Sequence, residues 1–406
     1  MKPLRNYVVI SCTYWAFTLT DGALRMLVVL YFHQLGYSPL SIASLFLFYE
    51  FFGIVTNLLG GWAATRFGLK VTLLVGLALQ IFALLMLTVP TENLTILYVM
   101  AVQALSGIAK DLNKMSAKSS IKQFFPANAK GNHNKLFKWV AILTGSKNTL
   151  KGIGFFLGGF LLAHYDFQTA LLILALGLLT TLLAAIPLLR PSQTKVSHKA
   201  RFSQLFSNDP AVNWLSAARF FLFGSRDVWF VIALPIYLVS QLNWQFDQVG
   251  SFFALWIVGY GLMQAFAPLL LQYCKQTRHS TDDKIMQQLA IILALIPAGI
   301  ALGLYFNLGT SWLIIGGLTL YGIIFALNSA VHSYLIIEWS DHQKIAMNIG
   351  FYYMANAGGR LAGTILSGLV YQYYDLVGCL IISSFFVAFT AILSQHLPTS
   401  KSISNR

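Results

Sequence analysis

Apolar stretches long enough to cross a bilayer recur about twelve times along this chain, and nothing else in it constrains the fold so tightly. They run over 7–32, 39–63, 71–90, 94–118, 137–163, 168–189, 212–240, 248–272, 286–306, 311–336, 346–371 and 376–396. Hydrocarbon offers a peptide group no water, so each stretch must bond its own backbone as a helix. Composition agrees: 57% of the 406 residues are hydrophobic and 10% are charged, with mean hydropathy +0.68. A soluble domain would carry about a quarter charged residues. The expected fold class is therefore an all-α membrane protein. The first apolar stretch is too long for a cleavable signal peptide and carries Asp21 and Arg25.

The connections are short except for RPSQTKVSHKARFSQLFSND, from Arg190 to Asp209, which is polar and basic. It predicts an N-terminal six-helix half at 1–189, a cytoplasmic linker at 190–211 and a C-terminal six-helix half at 212–406. Lys and Arg set orientation. Alternate connections carry Arg66, Lys70, Lys130, Lys195, Lys275 and Lys344, while the turns around Gly36, Glu92, Asp166, Trp244, Leu308 and Asp375 carry none. Both termini are thus expected in the cytoplasm.

The halves repeat each other in parallel. HQLGYSPLSIAS at 33–44 resembles SQLNWQFDQVGS at 240–251, and NTLKGIGFFLGG at 148–159 resembles AGGRLAGTILSG at 357–368. The offsets, 207 and 209, nearly agree, and the second places Lys151 opposite Arg360. Two such halves describe the major facilitator fold, with a substrate site between them near the midplane. GWAATRFGLK at 61–70 resembles the signature loop of that superfamily, which acts as an inward gate. Gly61, Arg66, Gly68 and Lys70 match it; Thr65 and Leu69 stand where Asp and Arg are usual. The loop also reads as a generic basic cytoplasmic turn.

The charges inside the spans are the candidates for function. Lys147 and Lys151 lie one turn apart near the middle of a spanning stretch, on one helix face. Each costs about 2.5–3.5 kcal/mol at mid-membrane, so the pair must face water, an acid or an anionic ligand. Span edges aside, the cations are Arg25, Lys110, Lys114, Lys147, Lys151, Arg219, Arg226 and Arg360, and the acids are Asp21, Glu50, Asp111 and Asp227. Eight cations against four acids leave about four positive charges, which points to an anionic passenger.

Plainer readings stand beside this one. Asp21 and Arg25 are placed to neutralise one another. Glu50 suits an ion pair or a proton site, and Asp111 suits a bridge to Lys114. Arg219 lies shallow enough to snorkel. Arg226 and Asp227, being adjacent, point about 100° apart and should not make one simple pair. Trp15, Asn57, Trp256, Tyr260, Gln264, Asn328, His332, Tyr352 and Asn356 suit interhelical packing as well as a cavity wall.

Other classes find little support. The net charge of +14 is dispersed among apolar spans, so nucleic acid is not an expected partner. Cys12, Cys274 and Cys379 are too scattered for a metal-thiolate site, and no cofactor is expected. Gly145-Ser146-Lys147 lacks the glycines and the strand-to-helix setting of a phosphate loop. A membrane enzyme would need clustered catalytic groups, and no such spacing is evident.

Five segments also resemble one family. YWAFTLTDGALRMLVVLYFHQLGYSPL at 14–40, YEFFGIVTNLLGGW at 49–62, QALSGIAKDLNKMSAKSSIK at 103–122, LFKWVAILTGSKNTLKGIGFFLGG at 136–159 and SAARFFLFGSRDVWFVIALP at 216–235 are similar to the organoarsenical efflux permeases, ArsJ. That family exports 1-arseno-3-phosphoglycerate, formed when glyceraldehyde-3-phosphate dehydrogenase uses arsenate in place of phosphate. The resemblance implies arsenate resistance, a functional partnership with that dehydrogenase and a place in the bacterial inner membrane. The charges alone would equally suit a sugar phosphate or another organophosphate.

Overall fold

The structure is a computed structural model that describes the backbone over residues 2–56, 69–124, 132–189, 210–278, 282–338 and 345–397. Among the described residues all regular structure is helical, as the bilayer demands. In chain order the helices are α1 (Lys2–Gln34), α2 (Pro39–Ser44), α3 (47–56), α4 (Leu69–Met86), α5 (Ile96–Phe124), α6 (Asn132–His164), α7 (Phe167–Leu188), α8 (Pro210–Phe230), α9 (Ala233–Ser240), α10 (Phe246–Arg278), α11 (Asp282–Tyr305), α12 (Thr310–Glu338) and α13 (Ile345–Ser394).

Two expected spans are broken helices. α2 and α3 make one span, Pro39–Thr56, interrupted where Leu45 and Phe46 bond three residues back. α8 and α9 make another, Pro210–Ser240. There Pro235 has no N–H for the Val231 carbonyl, so the helix parts ahead of it. The Ser367 hydroxyl accepts from the freed Ile232 and Ala233 N–H groups at 3.2 and 3.1 Å, which keeps the break satisfied inside the bundle. α13 is conversely two spans fused, with a left-handed residue, Asp375 (φ 55°), at the corner. Counted this way the helices cross about twelve times, as expected. Eight described segments meet the length and apolarity of a crossing on their own.

The described residues fall into two compact units. Unit 1 lies within Met1–Leu35, Phe48–Ala200 and Trp244–Val258; unit 2 lies within Gly36–Leu47, Arg201–Asn243 and Gly259–Arg406. Apart from Pro210 and Ala211, which open α8, the expected linker at 190–211 lies outside the described residues.

In unit 1, α1 joins α4, α5 and α7 through Phe17, Leu77, Ala109 and Leu178. The outward stripe of α7, Leu172, Leu176 and Leu183, is exposed and suits lipid. α1 also crosses α6 at glycines: a Cβ on Gly22 would stand 2.7 Å from the Lys151 carbonyl. Small residues of this kind let spanning helices approach where lipid supplies no hydrophobic drive between them. In unit 2, α8, α11, α12 and α13 pack through Val212, Met286, Leu335 and Tyr352. α8 crosses α13 as α1 crosses α6: a Cβ on Gly363 would stand 2.7 Å from the Gly224 carbonyl.

The sequence repeat reappears in these contacts. In unit 1, Gly159 of α6 faces the Phe246 carbonyl; in unit 2, Gly368 of α13 faces the Pro39 carbonyl. The two glycines are 209 residues apart and the two carbonyl residues 207 apart, the offsets of the repeat.

Candidate functional site

In unit 1 the charges meet on α1, α3 and α5. Arg25 sends Nη2 to Glu50 Oε1 at 2.7 Å, and both groups are buried, at 9% and 1% exposure. Asp21 does not neutralise Arg25, although they lie one turn apart. Its Oδ1 accepts instead from the Tyr49 hydroxyl at 2.6 Å. The adjacent residues Tyr49 and Glu50 thus satisfy Asp21 and Arg25 respectively, and α1 is tied to α3 twice. The Tyr49 ring also serves as a cation seat. Lys110 Nζ stands 3.9 Å from its centroid and the Arg25 guanidinium carbon 5.3 Å away. Desolvated cation–π contacts contribute about 2 kcal/mol or more. Asp111 is fully buried, accepts from Thr56 and is bridged by Lys114 at 3.4 Å, as the i, i+3 spacing predicts.

Lys147 and Lys151 are half-buried on α6. Beside them Trp15 donates its indole N–H to Ser146 at 2.9 Å, fixing α1 against that turn. Lys151 Nζ lies 5.7 Å from the Phe155 ring. Of the signature loop, Gly61, Arg66 and Gly68 lie outside the described residues, as does Asn57. Lys70 is described: its ammonium donates to the Ile186 and Leu189 carbonyls at 3.1 and 2.6 Å. It therefore caps the C-terminal end of α7, where orphan carbonyls and the helix dipole favour a cation.

In unit 2 the centre is Asp227, fully buried on α8. Arg226 bonds Asp227 Oδ1 through Nε at 2.7 Å and also through Nη2. The expectation that these neighbours would not pair is thus corrected, because the long arginine side chain folds back over the carboxylate. Arg360 of α13 takes the other oxygen, Oδ2, through Nε at 3.0 Å. One carboxylate so holds two guanidiniums, a clamp spanning both helices of the crossing.

Arg219 is the second correction. It does not snorkel: it is 5% exposed. Its Nε donates to Asn356 Oδ1 at 3.1 Å and its Nη1 to the Ser329 carbonyl and hydroxyl at 3.2 and 3.1 Å. Phe223 and Tyr352 lie 3.9 and 5.0 Å from the guanidinium carbon and shut out lipid. Asparagine and serine acceptors on α12 and α13 draw it inward, and depth along α8 alone gave no sign of them. Asn328 and Tyr260 fill packing roles: Asn328 Nδ2 lies 3.5 Å from the Met286 carbonyl, and the Tyr260 hydroxyl 3.5 Å from Ser329 Oγ.

Glu50 holds Arg25, Asp111 holds Lys114 and Asp227 holds both Arg226 and Arg360, while Asp21 is engaged by Tyr49. Among the described residues no cluster of three or more metal-type ligands occurs. Helical spans of this number, with charges buried inside them, define the class: a multi-span membrane protein. The sequence model of the Major Facilitator Superfamily matches residues 10–279. That covers well over half of the chain, which therefore belongs to this superfamily. No curated protein matches the chain in sequence. Among solved structures, a D-xylose-proton symporter superposes with TM-score 0.72 at 12% identity, over 98% of each chain. A nucleoside transporter, NupG, superposes with TM-score 0.73 at 15% identity, over 98% of this chain and all of that one. At such identities the likeness is one of fold.

Proposed function

We propose that this transporter carries a multiply charged organic anion outward by alternating access, and that its passenger is 1-arseno-3-phosphoglycerate. The observation that carries the anionic reading is the charge ledger: eight cations within the spans, four acids, and one of those acids shared by two arginines. An anionic passenger would offset that surplus. Arg and Lys serve phosphate-like oxygens by fork and point-charge contacts respectively. The resemblance to the arsenical efflux family selects this passenger, the outward direction and the dehydrogenase that would make the ester.

In this reading Arg25, Lys110, Lys114, Lys147, Lys151, Arg226 and Arg360 bind the anionic groups. Glu50, Asp111 and Asp227 hold cations in the empty carrier, Asp21 is held by Tyr49, and one of these four acids can exchange a proton. The halves at 1–189 and 212–406 rock about the site, the loop of Gly61, Arg66, Gly68 and Lys70 gating the inner side. Both termini face the cytoplasm of a bacterial cell. Export of an anion down the inside-negative potential is electrically downhill, so a coupling proton is optional.

The test is uptake into everted vesicles, comparing the arseno ester with 3-phosphoglycerate and arsenate. Uptake of the ester, but not of arsenate, is expected. Uptake of 3-phosphoglycerate with none of the ester would assign the chain to ordinary organophosphates. Lys151→Ala or Arg360→Ala carriers that insert normally and transport like the parent would dismiss those site residues.

A further inference from the structure

Two buried groups in unit 2 stand outside the ion pairs described above. Arg219 on α8 makes no ion pair among the described residues, and its hydrogen bonds go to neutral acceptors through Nε and Nη1. The outer nitrogen Nη2 donates to no described atom. His332 on α12 is fully buried, and neither ring nitrogen has a hydrogen-bond partner. A neutral imidazole always carries one N–H, so a buried donor stands unused whichever tautomer is present. A buried group without a partner calls for an explanation, and a bound ion or water is one that supplies the missing hydrogen bond.

The two groups belong together. Arg219 bonds both the carbonyl and the hydroxyl of Ser329. His332 follows Ser329 by three residues, so it projects from the same face of α12. The Tyr352 ring lies 5.0 Å from the Arg219 guanidinium carbon and Phe223 3.9 Å from it, a low-dielectric wall that strengthens any charge contact. Phe223 also faces Arg226, 5.2 Å from its guanidinium carbon. Along α8, Arg219 and Arg226 stand two turns apart, about 10 Å along the axis and nearly on one face.

We propose that Arg219 and His332 form an oxyanion-binding site inside unit 2, separate from the Asp227 clamp, which takes a carboxylate or phosphate-type group. Arg219 supplies the charge and its Nη2 donors; His332 supplies the facing N–H. Asn356 and Ser329 hold the guanidinium plane without neutralising it, which an aspartate in their place would do. The inference rests on the reading of the protein as an anion carrier and adds a station to it.

The experiment is calorimetric binding of 3-phosphoglycerate and of inorganic phosphate to the full chain in lipid nanodiscs, with the melting temperature of every variant recorded. Arg219→Gln is expected to weaken binding about tenfold or more, because a charge-assisted contact is lost. Arg219→Lys keeps the charge without the fork and should fall between. His332→Leu is the sharper variant. It removes an unsatisfied buried group, so the melting temperature should hold or rise, while affinity should fall about threefold to tenfold. Unchanged affinity in His332→Leu, whatever its melting temperature, means that His332 is purely structural, and that result overturns the site. If Arg219→Gln does not fold, His332→Leu decides alone. Loss of binding in Arg360→Gln with normal binding in Arg219→Gln and His332→Leu would remove this site and spare the anion-carrier reading. Failure of the parent protein to bind either probe would overturn this site, while uptake of the ester into everted vesicles decides the anion-carrier reading separately.

Discussion

Gly22 and Asp227 occupy corresponding places in two copies of one helix crossing. In unit 1, Gly154 of α6 rests against Leu19, Gly22 and Ala23 of α1. In unit 2, Gly363 of α13, 209 residues on, rests against Gly224, Asp227 and Val228 of α8, each 205 residues on. Lys151 and Arg360 correspond by the same offset of 209. The backbone scaffold is shared, but its electrostatic filling is not. Unit 2 places a carboxylate at the crossing, and Arg360 is bonded to it at 3.0 Å. Unit 1 has a glycine there, and a Cβ would already meet the Lys151 carbonyl at 2.7 Å. The scaffold so requires small residues at the crossing but leaves the charge at each copy open to change. One copy keeps its cation held by an internal acid; the other has no room for that acid.

The largest effect should come from removing the acid. Asp227→Asn leaves the half-buried Arg226 and Arg360 beside a neutral amide, and breaking a buried pair costs up to about 3–5 kcal/mol. A sharp fall in the melting temperature of purified protein is expected, partly reversed by adding Arg360→Gln. A melting temperature within a degree of the parent would mean that the clamp is solvated and that the contrast between the units is illusory.

Next comes the shared scaffold. Gly159→Ala and Gly368→Ala each push a methyl group toward a facing carbonyl, so each should cost about 1–3 kcal/mol. The repeat predicts costs of similar size. A large cost at one site and none at the other would break the equivalence on which the comparison stands.

Lys151→Gln tests the divergent charge. Position 22 carries no carboxylate, so this variant breaks no counterpart of the Asp227 clamp. Transport should fall at least tenfold, equivalent to about 1.4 kcal/mol, while the melting temperature falls less than in Arg360→Gln. Arg360→Gln should lower both. If the two variants behave alike, the difference between the crossings has no functional weight.

Most of the fold could be read from the sequence because the bilayer makes length and apolarity sufficient evidence for a helix. The breaks between α2 and α3 and between α8 and α9 escaped, since hydropathy averages over a one-turn interruption. Pro235 was the available signal for the second. The charged residues were all identifiable, and the bridge from Lys114 to Asp111 followed from spacing within one helix. Partners on different helices did not. Arg25 chooses Glu50 over Asp21, and Arg219 turns inward to Ser329 and Asn356, because tertiary neighbours outcompete sequence neighbours. Tyr49 was missed altogether: an aromatic residue in an apolar helix is unremarkable until two cations are found on its ring. Its position beside a buried glutamate was the one hint.

The two corners give the smallest effect. Asp166 and Asp375, again 209 residues apart, each start the arm that follows, but by different geometry. Asp166 is extended, and its carboxylate accepts from the Thr169 N–H at 2.9 Å, an ordinary N-cap. Asp375 is left-handed, and its carboxylate accepts from the next N–H, that of Leu376, at 2.7 Å. Bonding to the Thr169 N–H holds the exposed Asp166 carboxyl below the usual carboxylate range. A depressed folded-state value means that the cap contributes above the unfolded pKa, near 4, and is lost as pH falls through the folded one. Asp166→Ala should therefore lower the melting temperature slightly at pH 7, and the gap should close as the pH is taken below about 4. At position 375 glycine relieves the left-handed backbone while forfeiting the cap, so Asp375→Gly should be nearly neutral. If Asp166→Ala instead costs the same at every pH, the side chain acts there through packing rather than as a charged cap, and the two corners are more alike than their backbones suggest.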